Sequence, residues 1–151
     1  MGLDYSLKLA VDMQPEQVLR LMAKELGLKW WDDQHLGGPA VWISAGEISE
    51  LGRSLIEEGF HFTPSLSILF RLSFNSPDYE EGNRIMMRAA LLFFQLGGEG
   101  VLLFNGEIIV MQRLKGLLVL NEDFGGWTDG LCLEEEISLP HEKRSLPSPL
   151  L

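Results

Sequence analysis

Asp32, Asp33 and His35 bring two carboxylates and an imidazole within four residues, a set of donors that suits a hard or borderline cation. No further ligand stands at a spacing known from metal motifs, and an exposed acidic loop accounts for the same residues. A small-ligand or metal-binding domain would need His61 folded back into a pocket with His35 and Asp32; the third histidine, His141, lies near the C-terminus. Cys132 is the single cysteine and has no histidine or base beside it, which rules out a disulfide framework and a Cys-based zinc site and leaves a packed or incidental thiol. Neither a Gly-x-Ser-x-Gly elbow nor a phosphate-binding loop occurs. Gly97-Gly98-Glu99-Gly100 follows a helical stretch instead of preceding one, so it reads as a helix-ending turn. Glu57-Glu58 and Glu134-Glu135-Glu136 read as solvated faces. These residues lead us to expect a protein that is not an enzyme and uses no metal or cofactor.

What remains is a binding surface. Trp30 and Trp31 stand directly before Asp32 and Asp33, and Trp127 lies between Glu122-Asp123 and Asp129. Aromatic anchors ringed by carboxylates suit a basic protein partner. The predicted contacts are Trp31, Asp32, Asp33, Glu122, Asp123, Trp127 and Asp129. The alternative is that the tryptophans are core and the acids merely flank them; of adjacent Trp30 and Trp31 in an extended segment, at most one points inward.

Charge favours the same kind of partner. Twenty-two acidic and twelve basic residues give a net charge of −10, and residues 1 to 133, with eighteen acids and ten bases, still carry −8. A body this acidic argues against nucleic acid or an anionic membrane and favours solubility, cations or a basic protein partner; a solvated acidic surface of the kind common in cytoplasmic proteins accounts for the same charge. The N-terminal MGLDYSLKLAVDM lacks the basic region and apolar run of a secretory signal. The expected location is the cytoplasm.

The elements that must position these residues can be traced along the chain. Tyr5, Leu7, Leu9 and Val11 alternate with polar residues, a half-buried strand. Pro15 opens a helix with Val18, Leu19, Met22 and Leu26 on its apolar stripe, and Gly27 ends it. Gly37-Gly38-Pro39 marks a turn before a short strand at Ala40 to Ser44, and Ser49 caps a short helix through Glu58. Leu66, Ile68, Phe70, Leu72 and Phe74 form the clearest strand. The helix from Asn83 to Leu96 is apolar almost all round, apart from Arg84, Arg88 and Gln95; it is too short and interrupted to span a bilayer, so it must be covered by this chain or by a second copy. Asn105-Gly106 and Lys115-Gly116 then join three antiparallel strands. The expectation is one α+β domain over residues 1–133, a mostly antiparallel sheet with two main helices packed on it in two layers. Residues 134–151 read as a tail, acidic and then Pro- and Ser-containing, that stays flexible.

Three blocks, LDYSLKLAVDMQPEQVLRLMAKELGL, EEGFHFTPSLSILFRLSF and GGEGVLLFNGEIIVMQRLKGLLVLN, resemble immunity proteins of the Sit type, the self-protection partners of swarm-inhibition toxins in social bacteria. The shared features are Gly59-Phe60 before the long strand, Phe70-Arg71 within it and the Leu103-Phe104-Asn105-Gly106 hairpin, and the likeness spans most of residues 3 to 121. It implies a cytoplasmic protein that binds one cognate toxin and occludes it stoichiometrically, with no reaction catalysed. It supplies no catalytic residue and does not fix the oligomeric state.

Overall fold

A computed structural model describes residues 2–127 and 137–150. Strand β1 (Gly2–Ala10) runs through the middle of the sheet, with Tyr5, Leu7 and Leu9 buried and the residues between them half-buried. Helix α1 (Pro15–Leu26) starts at its proline, with the Gln17 side chain accepting from the Gln14 N–H at 2.8 Å, and ends at Gly27 in the left-handed region (φ 65°). Two short strands, β2 (Lys29–Trp30) and β3 (His35–Gly38), lead into β4 (Val41–Glu47). Helix α2 (Glu50–Phe60) is capped by Ser49, whose hydroxyl accepts from the Gly52 N–H. Strand β5 (Leu66–Ser73), helix α3 (Tyr79–Gln95), and strands β6 (Glu99–Phe104), β7 (Ile108–Leu114) and β8 (Leu117–Asn121) follow, and β9 (His141–Arg144) closes the described chain.

Among the described residues the strands form one sheet in the order β2-β3-β4-β5-β1-β6-β7-β8-β9, antiparallel at every step except the parallel pair β8 and β9. Alternation divides it into two faces. The inner face carries Leu7, Leu36, Ile43, Ile68, Phe70, Leu102 and Leu118, and packs against Met22 of α1 and Met86, Phe93 and Phe94 of α3, all fully buried. A shift in register between Leu102 and Leu103 leaves Val110 as an extra residue in β7, so Val110 and Met111 both join the inner core while Ile109 faces out. The outer face is covered in part by α2, whose Ile56 and Phe60 pack with Ile48, Phe62, Val101, Leu103 and Ile109.

The result is an α+β fold on a mostly antiparallel sheet, with α1 and α3 on one face as expected and α2 as a partial layer on the other. Helix α3 begins four residues earlier than its apolar pattern, because Glu80 and Glu81 occupy the first turn, where the helix dipole favours acids. Its Ile85, Met86, Ala89, Ala90 and Phe93 are buried within the chain itself, so no second copy is needed to cover them.

The C-terminal segment, which its Pro, Ser and charge content marks as a flexible tail, is folded over residues 137–150. It wraps one edge of the sheet: Ile137 and Leu139 pack on the inner core, β9 pairs with β8, and Leu146 and Leu150 cap the outer cluster beside Pro149, which lies over Gly59. The four residues of β9 are all exposed, so no hydrophobic alternation reveals the strand. Its order comes from Asn121. The buried Asn121 side chain donates to the Ile109 carbonyl at 2.7 Å and accepts from the N–H groups of Asp123 and Leu146, both at 3.0 Å.

Candidate functional site

After Gly27 turns the chain out of α1, Leu28 is buried and β2 pairs with β3 through Lys29 with Gly37 and Trp30 with Leu36. Alternation sends Trp30 to the helix side and Trp31 to the outer side, but at the sheet's edge neither is covered: they are 44% and 68% exposed. Trp31 donates its backbone N–H to the His35 carbonyl at 2.9 Å. Asp32 closes the turn, its Oδ1 accepting from the Gln34 N–H at 2.8 Å and its two oxygens lying 2.8 and 2.9 Å from His35 Nδ1. The Gln34 N–H and then the His35 ring hold the Asp32 carboxyl below its ordinary range.

Opposite Gly37 in the β3–β4 pair stands Trp42, and with no side chain at Gly37 the Trp31 ring lies over the gap. The Trp31 and Trp42 rings are 5.1 Å apart at 60°, and the His35 ring lies 5.5 Å from Trp42. Two recesses flank this edge. An inner cleft of about 980 Å³ runs between the start of α1 and the turn, with Glu16, Trp30, Asp32, Asp33 and His35 among its walls. An outer groove of about 530 Å³ is bounded by Trp31, Trp42, Lys29 and the Gly37-Gly38-Pro39-Ala40 backbone. Within the cleft, Glu16 pairs with Arg20 and Asp32 with His35, whereas Asp33 has no partner among the described residues.

Trp31, Asp32 and Asp33 are thus together and exposed. Glu122, Asp123 and Trp127 follow the end of β8, seven places along the strand order from β2. There, Asp123 accepts from the Ser145 hydroxyl and the Glu122 N–H donates to the Arg144 carbonyl. Trp127 is tied into the fold: its indole N–H donates to the Asn121 carbonyl at 2.6 Å, its ring meets Phe124 edge-on at 5.3 Å, and Lys143 stands over it. Asp129 and Cys132 lie outside the described residues. The structure does not gather the six described members of the predicted set into one patch.

Among the described residues no three His, Cys, Asp or Glu side chains are placed to hold a metal ion. His61 ends α2 in the left-handed region and is absent from the walls of the cleft that holds Asp32 and His35. Trp42 and Leu69 are also exposed, though neither is among the predicted contacts. The signal was present: each sits between two inward-facing apolar residues of a strand, Val41 and Ile43 or Ile68 and Phe70, and so must face out.

The SitI3-like family profile matches residues 3–131, most of the chain. The chain belongs to the SitI3-like family. This is a Sit-type immunity family, in keeping with the likeness carried by the three sequence blocks. No curated protein and no solved structure gives a significant match to the chain. No described helix is long and apolar enough to cross a membrane.

Proposed function

We propose that this SitI3-like protein neutralises a cognate bacterial toxin in the cytoplasm by binding it one to one and occluding it, without catalysing a reaction. Family membership is the observation that carries this reading. The toxin is a basic protein, since the net charge of −10 steers a cationic partner and repels an acidic one. The exposed turn with Trp31, Asp32 and Asp33 is its first contact. Glu122, Asp123 and Asp129 act at a distance through their charge, and Trp127 through the fold it helps to hold. If the toxin acts on nucleic acid, carboxylates at this edge stand where phosphates would lie.

Co-expression with the cognate toxin tests the proposal: cells carrying the protein survive, and the two chains elute together in equal amounts. Toxicity that persists despite soluble expression of both chains would refute it. Replacing Asp32 and Asp33 together by Asn should slow association about tenfold at low salt and much less at high salt. An unchanged rate would remove the turn from the interface.

A further inference from the structure

Among the described residues, part of the sheet's outer face has no cover. Helix α2 and the C-terminal segment close it over β6 and β7, through Ile56, Phe60, Leu146 and Leu150. Over β3, β4 and β5 it stays open, and there Trp42 is 37% and Leu69 42% exposed. Trp42 lies opposite Arg71, and Leu69 opposite Ser44, so Trp42 and Leu69 are diagonal neighbours at roughly 7–8 Å. Trp31 extends the row to the sheet's edge. At roughly 250 Å² for a whole tryptophan, Trp31 and Trp42 expose about 260 Å² between them. That is about a third of one side of a standard protein interface.

The polar groups on this face are largely matched already. Arg71 donates from Nε and Nη2 to the two Asp4 oxygens at 2.8 and 3.1 Å, and His35 is held by Asp32. The Asp4 carboxylate raises the pKa of Arg71. An incoming surface therefore meets an apolar centre where Asp4 neutralises Arg71 and the half-buried Lys8 ammonium donates to the Ser67 hydroxyl at 2.9 Å, with Asp33 and Lys29 at the rim. A centre of tryptophan inside a charged rim is the anatomy of a protein-binding hot spot.

We propose that this open face, centred on Trp42 and Leu69 and extended by Trp31, is where the toxin docks, through a basic surface that presents an aliphatic side chain flanked by Arg or Lys. The proposal rests on the immunity reading and names its surface. Charge selects the occupant. A second copy would set −10 against −10, whereas a cationic surface gains from that field and can place an Arg or Lys against the exposed Trp31 ring beside Asp33. The aliphatic side chain covers the step between Trp42 and Leu69.

The test is binding of purified toxin to the wild type and to Trp42→Ala, Leu69→Glu and Leu69→Lys, with Glu25→Gln, exposed on α1 at the opposite face of the sheet, as control and melting curves to verify folding. Both positions face solvent, so these changes leave the core intact. Trp42→Ala should weaken binding at least tenfold, mainly through faster dissociation. Leu69→Lys should weaken it at least tenfold more than Leu69→Glu, because only lysine repels a basic partner. Glu25→Gln should stay within threefold.

If the wild type binds and protects while Trp42→Ala and both Leu69 variants stay within threefold of it, the toxin docks elsewhere; the face is wrong and the immunity reading stands. Equal losses for Leu69→Glu and Leu69→Lys would refute the basic partner. Dimerisation of the free protein that Trp42→Ala abolishes would reassign the face to a second copy. A wild type that neither binds nor protects overturns both readings.

Discussion

Replacing Asn121 by Ala should release the C-terminal segment from the sheet. The Asn121 side chain makes three short hydrogen bonds, to the Ile109 carbonyl at 2.7 Å and from the N–H groups of Asp123 and Leu146 at 3.0 Å each. A net contribution of about 1 kcal/mol per bond, with more where a buried group such as the Ile109 carbonyl is stranded, gives a loss of roughly 3–4 kcal/mol. That is a large share of the roughly 5–15 kcal/mol that holds a domain together, and should lower Tm by roughly 10 °C. Urea denaturation measures the global loss, and trypsin the local one. Cleavage after Lys143 or Arg144 needs β9 to leave β8, and where opening is local and fast its rate should rise on the order of several hundredfold.

Asn121→Asp sharpens the experiment. It keeps an oxygen to accept from Asp123 and Leu146 but sets a second one against the Ile109 carbonyl. Burial raises the pKa of such a carboxyl, and only its protonated form can donate to that carbonyl. Relative to wild type, this variant should therefore recover stability as pH falls towards about 5. A loss below about 1 kcal/mol for Asn121→Ala, with unchanged tryptic cleavage, would show that Asn121 does not clamp the segment.

Two further outcomes follow from the geometry. A side chain at Gly82, in the first turn of α3, would place its Cβ 2.7 Å from the Pro39 carbonyl oxygen and 3.0 Å from the Ala40 carbonyl carbon and oxygen. Because backbone must move, Gly82→Ala should cost about 1–3 kcal/mol by urea denaturation despite the higher helix propensity of alanine; a gain would refute the close approach. Asp4 has its carboxyl lowered by the hydrogen bond from Arg71, so the folded state binds its proton less readily than the unfolded chain does. The pair's contribution is complete above the unfolded carboxyl value near 4 and fades as pH falls through the lower folded value. Stability curves for wild type and Asp4→Asn should therefore run apart at a constant interval from about pH 5 to 8 and converge below about pH 4. A gap that persists at about pH 2 would show that Asp4 acts by some route other than its charge.

The sequence by itself determined the elements whose stabilising pattern is local. Alternation fixed β1 and β5, Pro15 and Gly27 bounded α1, Ser49 placed α2, and Asn105-Gly106 set the hairpin with both residues at positive φ. The apolar circumference of α3 required that it be covered. Tertiary structure alone decided what covered it, because Met86 and Phe93 do not specify which strands they meet. It also decided where residues 137–150 lie: β9 has no apolar face, and its place depends on a buried asparagine at the end of β8 together with Leu139, Leu146 and Leu150.

The binding surface divides in the same way. Trp31, Asp32 and Asp33 are neighbours in sequence, so their cluster was legible from composition. Their separation from Glu122, Asp123 and Trp127 was not, because it depends on strand order, which no local pattern encodes. Nor was the row of Trp31, Trp42 and Leu69: β2 to β5 follow one another in the chain, but the row exists only because they pair in one register and that side of the sheet is left uncovered among the described residues.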